Sequence, residues 1–300
     1  FKQKEALMLL LPKFDYYEPR EMSEALKLMS KMKTSAKIIA GGTDVLVNMK
    51  KGLISPKSLV NVARISELSD VEPSNGTISI GSGLIVEKLT EFDIIKKKLP
   101  ILFKAARVLG SPLVRNRATI GGNIVTARPA ADLPPALLAV DAKLKLVGAK
   151  SSREVSLDKF FIGPGQTVIK PTEILSRIII KELPPFTGGD YIKLGHRNAL
   201  EIAIVAVASR ITLDSPDGVI KEARIILSAV APKAIHAVSA EKALKGEKPT
   251  AKLFEKVAKL AAGDCAPITD IRGGAEYRRA MVAALTKKTL MNALNEAKGK

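Results

Sequence analysis

Apolar positions recur with two periods along the first third of the chain, and their alternation predicts a mixed architecture. Met22, Ala25, Leu26, Met29 and Met32 share one face of a helix spanning Glu21–Met32, with Ser23 and Glu24 near its start. Lys37–Ile38–Ile39–Ala40 then reads as a short buried strand ended by Gly41–Gly42. Two further strands are expected at Ser58–Val62 and Thr77–Gly81, the second preceded by turn residues Pro73–Gly76. Glu87–Leu109 reads as mainly helical with a break at Pro100, and Lys143–Val147 as a strand before a polar loop around Lys150–Arg153. Leu183–Pro184–Pro185–Phe186–Thr187–Gly188–Gly189 has the composition of a linker. Beyond it, two apolar runs at Ile202–Leu213 and Val219–Val230, joined by Asp214–Gly218, predict an antiparallel hairpin. Helices are expected near Ala240–Lys245, at Ala251–Ala262 and at Ala275–Ala297. The pattern is α+β, with domains expected at residues 1–183 and 184–300.

Composition narrows the chemistry. With 46% apolar and 26% charged residues, the chain of 300 residues can bury ordinary cores. No apolar run is long enough for a membrane span, and the apolar Ala6–Leu11 is preceded by Glu5 and cut by Pro12, unlike a signal peptide. A cytoplasmic location is the expectation. A single cysteine, Cys265, excludes an internal disulfide and a cluster or thiolate zinc site built by this chain alone; it is expected to pack in the C-terminal core. His196 and His236 lack metal-ligand spacing, so no metal site is expected. His196 reads as a loop residue, and His236 has no motif around it. The net charge of +18 fits a solvated surface first, an acidic partner second and nucleic acid last. The lysines are dispersed, and four tyrosines with no tryptophan offer few stacking platforms.

Two glycine pairs carry the chemical signal. Ile39–Ala40–Gly41–Gly42–Thr43–Asp44 runs a strand into a turn whose amides can approach an anion such as a diphosphate. Thr119–Ile120–Gly121–Gly122–Asn123, with Thr126 and Asp132 beyond, repeats the device with hydroxyl, amide and carboxylate groups suited to phosphate or ribose. Neither is a Rossmann fingerprint or a P-loop, and Gly81–Ser82–Gly83 reads as a strand-end turn.

Together these loops resemble the flavin-binding medium subunit of carbon monoxide dehydrogenase and the matching domain of xanthine dehydrogenase. The likeness runs through Val114–Asn123, Ala131–Pro135, Phe160–Thr167, Glu173–Leu175, Tyr191–Lys193 with Arg197, and Asp270–Arg272 with Ala275–Arg279. It implies a two-subdomain FAD-binding domain of the vanillyl-alcohol-oxidase type, followed by a small C-terminal domain with an antiparallel sheet and helices. It places Lys37, Ile38, Ile39, Ala40, Gly41, Gly42, Thr43, Asp44 and Val45 along the FAD diphosphate. Thr119, Gly122, Asn123, Val125 and Thr126 fall at the second loop, and Asp132 at polar groups of the cofactor. Leu109, Gly110 and Leu175 fall where residues pack on the cofactor, and Lys193 near the flavin ring. A cation there would stabilise reduced, negatively charged flavin. No acid–base pair of the chain's own is implied.

The resemblance also implies non-covalent FAD, a large molybdopterin-binding subunit and a small iron–sulfur subunit, assembled as a dimer of heterotrimers. NAD, a quinone or dioxygen would be the electron acceptor. The alternatives are a stand-alone flavin oxidase of the same fold and, remotely, a basic nucleic-acid-binding protein. Arg115 and Arg117 are left between phosphate contact and salt bridge. Tyr277, Arg278 and Arg279 are expected to fix the last helix against the flavin domain. Asp44 is tolerable beside a diphosphate if its carboxylate turns away.

Overall fold

The computed structural model describes residues 11–197 and 199–299, so most of the apolar Ala6–Leu11 stretch lies outside the described residues. β1 (Asp15–Tyr17), β3 (Ser58–Asn61) and β2 (Ala36–Ile39) form a parallel sheet in that order. Parallel neighbours need crossovers, supplied by helices α1 (Met22–Met32) and α2 (Val45–Lys50). The face of α1 read from its periodicity is the buried one: Ala25, Leu26 and Met29 pack with Val60, Val62 and Ile65.

A second sheet is antiparallel, with strand order β4–β5–β10–β6–β7: Val71–Ser74, Thr77–Gly81, Ile174–Lys181, Lys143–Val147 and Ser152–Ser156. Between β5 and β6 come short helices α3 (Val86–Leu89), α4 (Asp93–Lys98), α5 (Pro100–Arg107), α6 (Pro112–Arg115), α7 (Ile120–Val125) and α8 (Leu133–Ala139). They close a core with Ile78, Ile80, Leu144, Leu146, Ile178 and Ile180. A small hairpin, β8 (Phe161–Gly163) and β9 (Gln166–Thr167), precedes β10.

The C-terminal sheet runs β11 (Thr187–Leu194), β12 (Val205–Leu213), β13 (Ile220–Ser228) and β14 (Ile235–His236), all antiparallel. β12 is buried along its whole length because both its faces are covered. Val205, Val207, Ile211 and Leu213 join a core with helices α9 (Val238–Leu244), α10 (Ala251–Asp264) and α11 (Ala275–Ala297). Ala206 and Ala208 on the other face join the core of the first half. A strand covered on both faces reads as a continuous apolar run, which is why its alternation was invisible.

Several local expectations shift. Pro73 and Ser74 belong to the edge strand β4, and the turn itself is Asn75–Gly76, both with positive φ, as a tight hairpin requires. The helical stretch breaks at residues 90–92 as well as before Pro100, which starts α5. Arg153 lies in β7, not in a loop. Gly188 and Gly189 are strand residues of β11, not linker. A Cβ on Gly188 would lie 2.1 Å from the Ala293 carbonyl oxygen of α11, and one on Gly189 would lie 3.2 Å from Ile101 of α5. These glycines let two helices approach one strand from opposite sides. Arg278 is buried and donates to the Ile204 and Ala229 carbonyls at 3.0 and 2.9 Å, so it pins α11 to the ends of its own sheet rather than to the first half. Cys265 packs in the C-terminal core.

His236, which has no motif around it, ties the halves together. Its Nε2 lies 2.8 Å from Asp158 of the first half, and its Nδ1 lies 2.8 Å from Glu241 of α9. Burial works against its proton, but hydrogen bonds to the two carboxylates outweigh burial and push its pKa to about 9, from an ordinary 6.5. A raised folded pKa means stability that is complete below about pH 6.5 and lost as pH rises through about 9. His236→Gln should remove this alkaline limb and cost about 1.5 kcal/mol at pH 6, a low value because Asp158 is partly solvated. Urea unfolding at pH 6 and pH 9.5 checks it; unchanged pH dependence in the variant would exclude the clamp.

Candidate functional site

The two glycine loops meet. Gly41 sits so close to the second loop's approach that a Cβ on it would lie 1.9 Å from the Arg117 carbonyl oxygen and 3.1 Å from the Ala118 Cα. Gly42 follows with φ 75°, a left-handed turn that any Cβ would strain. Among the described residues, the amides of Gly41, Gly42, Thr43 and Asp44 donate to no protein acceptor. Consecutive free N–H groups around a left-handed residue form the kind of concavity that takes an anion.

The second loop is built differently. Ile120 and Gly121 donate to the Leu84 and Ser82 carbonyls, Gly122 donates to Thr119 Oγ1 at 3.1 Å, and Asn123 donates to the Thr119 carbonyl. Thr119 is therefore the N-cap of α7, and this loop's amides are not a second open cradle as expected from its glycines. Thr126 likewise spends its hydroxyl proton on the Gly122 carbonyl. What the loop presents is an open face. A Cβ on Gly122 would meet a single atom within 4 Å, the capping Thr119 Oγ1 at 2.9 Å, whereas one on Gly121 would collide with the Ser82 backbone at 2.6 Å. The turn Gly81–Ser82–Gly83 thus braces this loop.

Asn123 Oδ1 accepts the Leu133 amide at 3.1 Å, and beside it Asp132 begins a buried polar group. Lys193 Nζ lies 2.9 and 3.0 Å from the two carboxylate oxygens of Asp132, and the Tyr191 hydroxyl donates to Asp132 at 3.2 Å. Tyr191 and Lys193 reach the same carboxylate because residues two apart on a strand share a face. Burial raises the Asp132 pKa, with the Lys193 charge and both hydrogen bonds opposing; burial and then the Asp132 charge push the Tyr191 hydroxyl well above its ordinary value. Lys193 also donates to the Val108 carbonyl at 3.3 Å, and Gly110, with φ 51°, accepts the Leu200 amide at 2.8 Å. Residues 108–110 therefore border the pair.

A scan against protein families matches residues 12–182 to the FAD binding domain in molybdopterin dehydrogenase, and residues 190–293 to the CO dehydrogenase flavoprotein C-terminal domain. The carbon monoxide dehydrogenase medium chain of Hydrogenophaga pseudoflava is 31% identical over 94% of this chain and 97% of its own length. The xanthine dehydrogenase FAD-binding subunit of Escherichia coli O157:H7 is 29% identical over 95% of this chain and 97% of its own. A solved carbon monoxide dehydrogenase from Hydrogenophaga pseudoflava superposes with TM-score 0.90 at 33% identity, covering 95% of this chain and 98% of that one.

The chain belongs to the FAD subunits of the molybdopterin dehydrogenases.

It is thus an oxidoreductase component whose cofactor is FAD. The residues present fit that group: free amides at Gly41–Asp44 suit a diphosphate, and the open Gly122 face lets a chain of polar groups pass close. No cluster of His, Cys, Asp or Glu able to hold a metal occurs among the described residues, and none of their helices is long and apolar enough to cross a membrane.

The remaining candidates are placed as follows. Ile39 is buried beneath the first loop, Ile38, Ala40 and Val45 are half-buried, and Lys37 is exposed. Val125 is exposed at the end of α7. Leu109 and Leu175 are buried core residues, and the Leu175 carbonyl accepts the Ser82 hydroxyl at 2.5 Å. Arg115 is a salt-bridge residue, 2.6 Å from Glu87, while the Arg117 side chain is exposed. His196 is an exposed loop residue. Burial raises the Asp44 pKa, with the nearby Arg128 charge opposing. Tyr191 and Arg128 were given no role from the sequence; the spacing Tyr191–x–Lys193 is the signal that identifies the former.

The glycines differ in what they protect. Gly41→Ala should force the loops apart, costing about 1–3 kcal/mol and FAD retention together. Gly122→Ala should cost less, about 1 kcal/mol, because its Cβ would press only on the capping Thr119 hydroxyl at 2.9 Å, yet it should still weaken FAD binding. Melting curves paired with FAD titration separate the two; equal behaviour of both variants contradicts the assignment.

Proposed function

We propose that this chain binds FAD non-covalently, takes electrons from a small iron–sulfur subunit, and passes them to an external acceptor: NAD, a quinone or dioxygen. Its complex would include a large molybdopterin-binding subunit and form a dimer of heterotrimers in the cytoplasm. Residues 1–183 are the FAD-binding domain in this reading, and residues 184–300 the domain that closes on it.

The observation that carries the reading is the contact between the free-amide turn at Gly41–Asp44 and the open-faced loop at Gly122. The diphosphate falls along Lys37–Val45, where the amides of Gly41 to Asp44 donate. Gly122, Asn123, Val125 and Thr126 line the adjoining stretch, with Thr119 shaping the loop as its cap. Asp132, Leu109, Gly110 and Lys193 lie toward the flavin ring, and Leu175 supports from the core. Non-covalent attachment is supported by the lone cysteine lying in the C-terminal core and by His196 lying in an exposed loop.

FAD supplies the interchange between electron pairs and single electrons. The chain's own residues bind and tune. Lys193 is held by Asp132, Tyr191 shares the carboxylate, and the ammonium places a fixed positive charge beside any negative charge that develops nearby.

Reconstitution of the purified chain with FAD should give a yellow protein near one equivalent; failure to take up FAD contradicts the reading. Lys193→Met should leave FAD bound but make its midpoint potential more negative, by about 30 mV for each tenfold loss of preference for reduced flavin. Spectroelectrochemistry reads the shift, and an unchanged or more positive potential removes Lys193 from the flavin's surroundings.

A further inference from the structure

We propose that the groove between the approach to β11, the end of the β12–β13 hairpin and the C-terminal end of α9 is a second ligand site, shaped for an aromatic phosphate such as a nucleoside monophosphate. It is separate from the site around Asp132 and Lys193. Lys193 lies seven residues beyond Phe186 of the groove, about 23 Å at the rise of an extended strand.

Two cavities of about 530 and 550 Å³ adjoin there and share Pro184, Thr212, Lys221 and Lys245 in their walls. Each has the size of a small-molecule site. Their chemistry differs. The first adds mainly apolar residues, among them Pro185, Phe186 and Leu213, whereas the second adds Arg224 and Lys242. An occupant that spans both needs a ring at one end and negative charge at the other.

The apolar end carries strain. Phe186 has φ 54°, a left-handed backbone that bulky residues rarely take, and its carbonyl accepts the Leu213 amide at 3.0 Å. It is 41% exposed, so the strain does not serve to fill a core. Strained residues of this kind gather where ligands are clamped. An exposed ring beside the two prolines offers a face on which another ring can stack.

A bulge builds the cationic end. Thr212 pairs with Glu222 and Leu213 with Ile220, which leaves Lys221 as an extra residue in β13. Bulges re-aim side chains, and this one is held from outside. Gly246 donates to the Ile220 carbonyl at 2.8 Å, and Ile220 donates to the Glu247 carbonyl at 2.9 Å. Lys221 thereby joins Lys242 and Lys245 at the end of α9 along one wall. The dipole of α9 accounts for the last two lysines but not for Lys221. Among the described residues none of the three has an ion-pair or hydrogen-bond partner. The carboxylates of the same walls are engaged: Glu222 by Arg210 and Arg224, Glu241 by His236 and the Ile225 amide, and Asp214 by the Val219 amide. Three unpaired ammonium groups repel one another until an anion joins them. Lysine is a compact charge with rotatable donors, and it serves phosphate better than it serves a planar carboxylate.

The test uses the full chain saturated with FAD, so that no empty cofactor site takes up the probe. Calorimetry should show one site for adenosine monophosphate, with adenosine and inorganic phosphate each binding about tenfold more weakly or worse. Lys221→Glu combined with Lys245→Glu should keep FAD content and circular dichroism at wild-type values, because both side chains are exposed and unpaired, and should weaken the monophosphate by about tenfold or more. Phe186→Asn should keep or raise the melting temperature, since asparagine tolerates a left-handed backbone, yet weaken the monophosphate about fivefold. The proposal is overturned if adenosine monophosphate does not bind at millimolar concentration, if adenosine binds as tightly, or if either variant keeps wild-type affinity. A chain that takes up no FAD refutes the flavin reading instead, and the two variants then still decide whether the monophosphate sits in this groove.

Discussion

The site rests on one main-chain contact, Gly41 against the carbonyl of Arg117. The two loops come from separate parts of the chain, one leaving the parallel sheet through β2 and the other entering α7. Only a residue without Cβ lets them touch. That contact sets the free amides of Gly41–Asp44 beside the open face of Gly122. Gly121, packed on the Ser82 carbonyl, anchors the second loop to the end of β5. Four glycines thus do four jobs: loop contact, left-handed turn, brace and open face. A wall made of backbone is stiff and presents amides whose positions do not depend on rotamers.

The other constraint crosses between the halves. Asp132 comes from the first half, and Tyr191 and Lys193 come from the C-terminal sheet. Away from water, one unpaired charge would be costly, so the pair is tolerable only because each charge meets the other and Tyr191 takes a further lone pair. Orientation of the C-terminal sheet is thereby tied to the ammonium that tunes the site. His236, held between Asp158 and Glu241, fixes the same two halves at another point. Two separated polar attachments resist rotation better than either alone.

Much of this was legible in the chain. Period-3.6 spacing found α1 because it buries one apolar stripe, and the glycine pairs marked both loops. What stayed hidden depended on partners distant in sequence. The second loop looked like a duplicate of the first, yet its amides are consumed by Ser82, Leu84 and Thr119, which local pattern does not reveal. Gly188–Gly189 after two prolines has linker composition, while helices α5 and α11 require those same glycines within a strand. His236 carries no local motif and Tyr191 only its place two residues before Lys193, since their roles are defined by Asp158 and Asp132, far away in the chain. Spacing shows which residues share a face and is silent about what faces them.

β12 explains why these distant features act as one body. Its odd-numbered residues Val205, Val207, Ile211 and Leu213 bury against α9–α11, while Ala206 and Ala208 bury against the first half. Alanines on that second face allow α8 to lie close, and α8 begins immediately after Asp132. Larger residues there would lift the sheet away and stretch the Asp132–Lys193 contact before any core was lost. Small side chains in the middle of the molecule therefore set a distance at the site. The stability of the sheet and the position of the ammonium are two consequences of the same packing, so selection on one constrains the other.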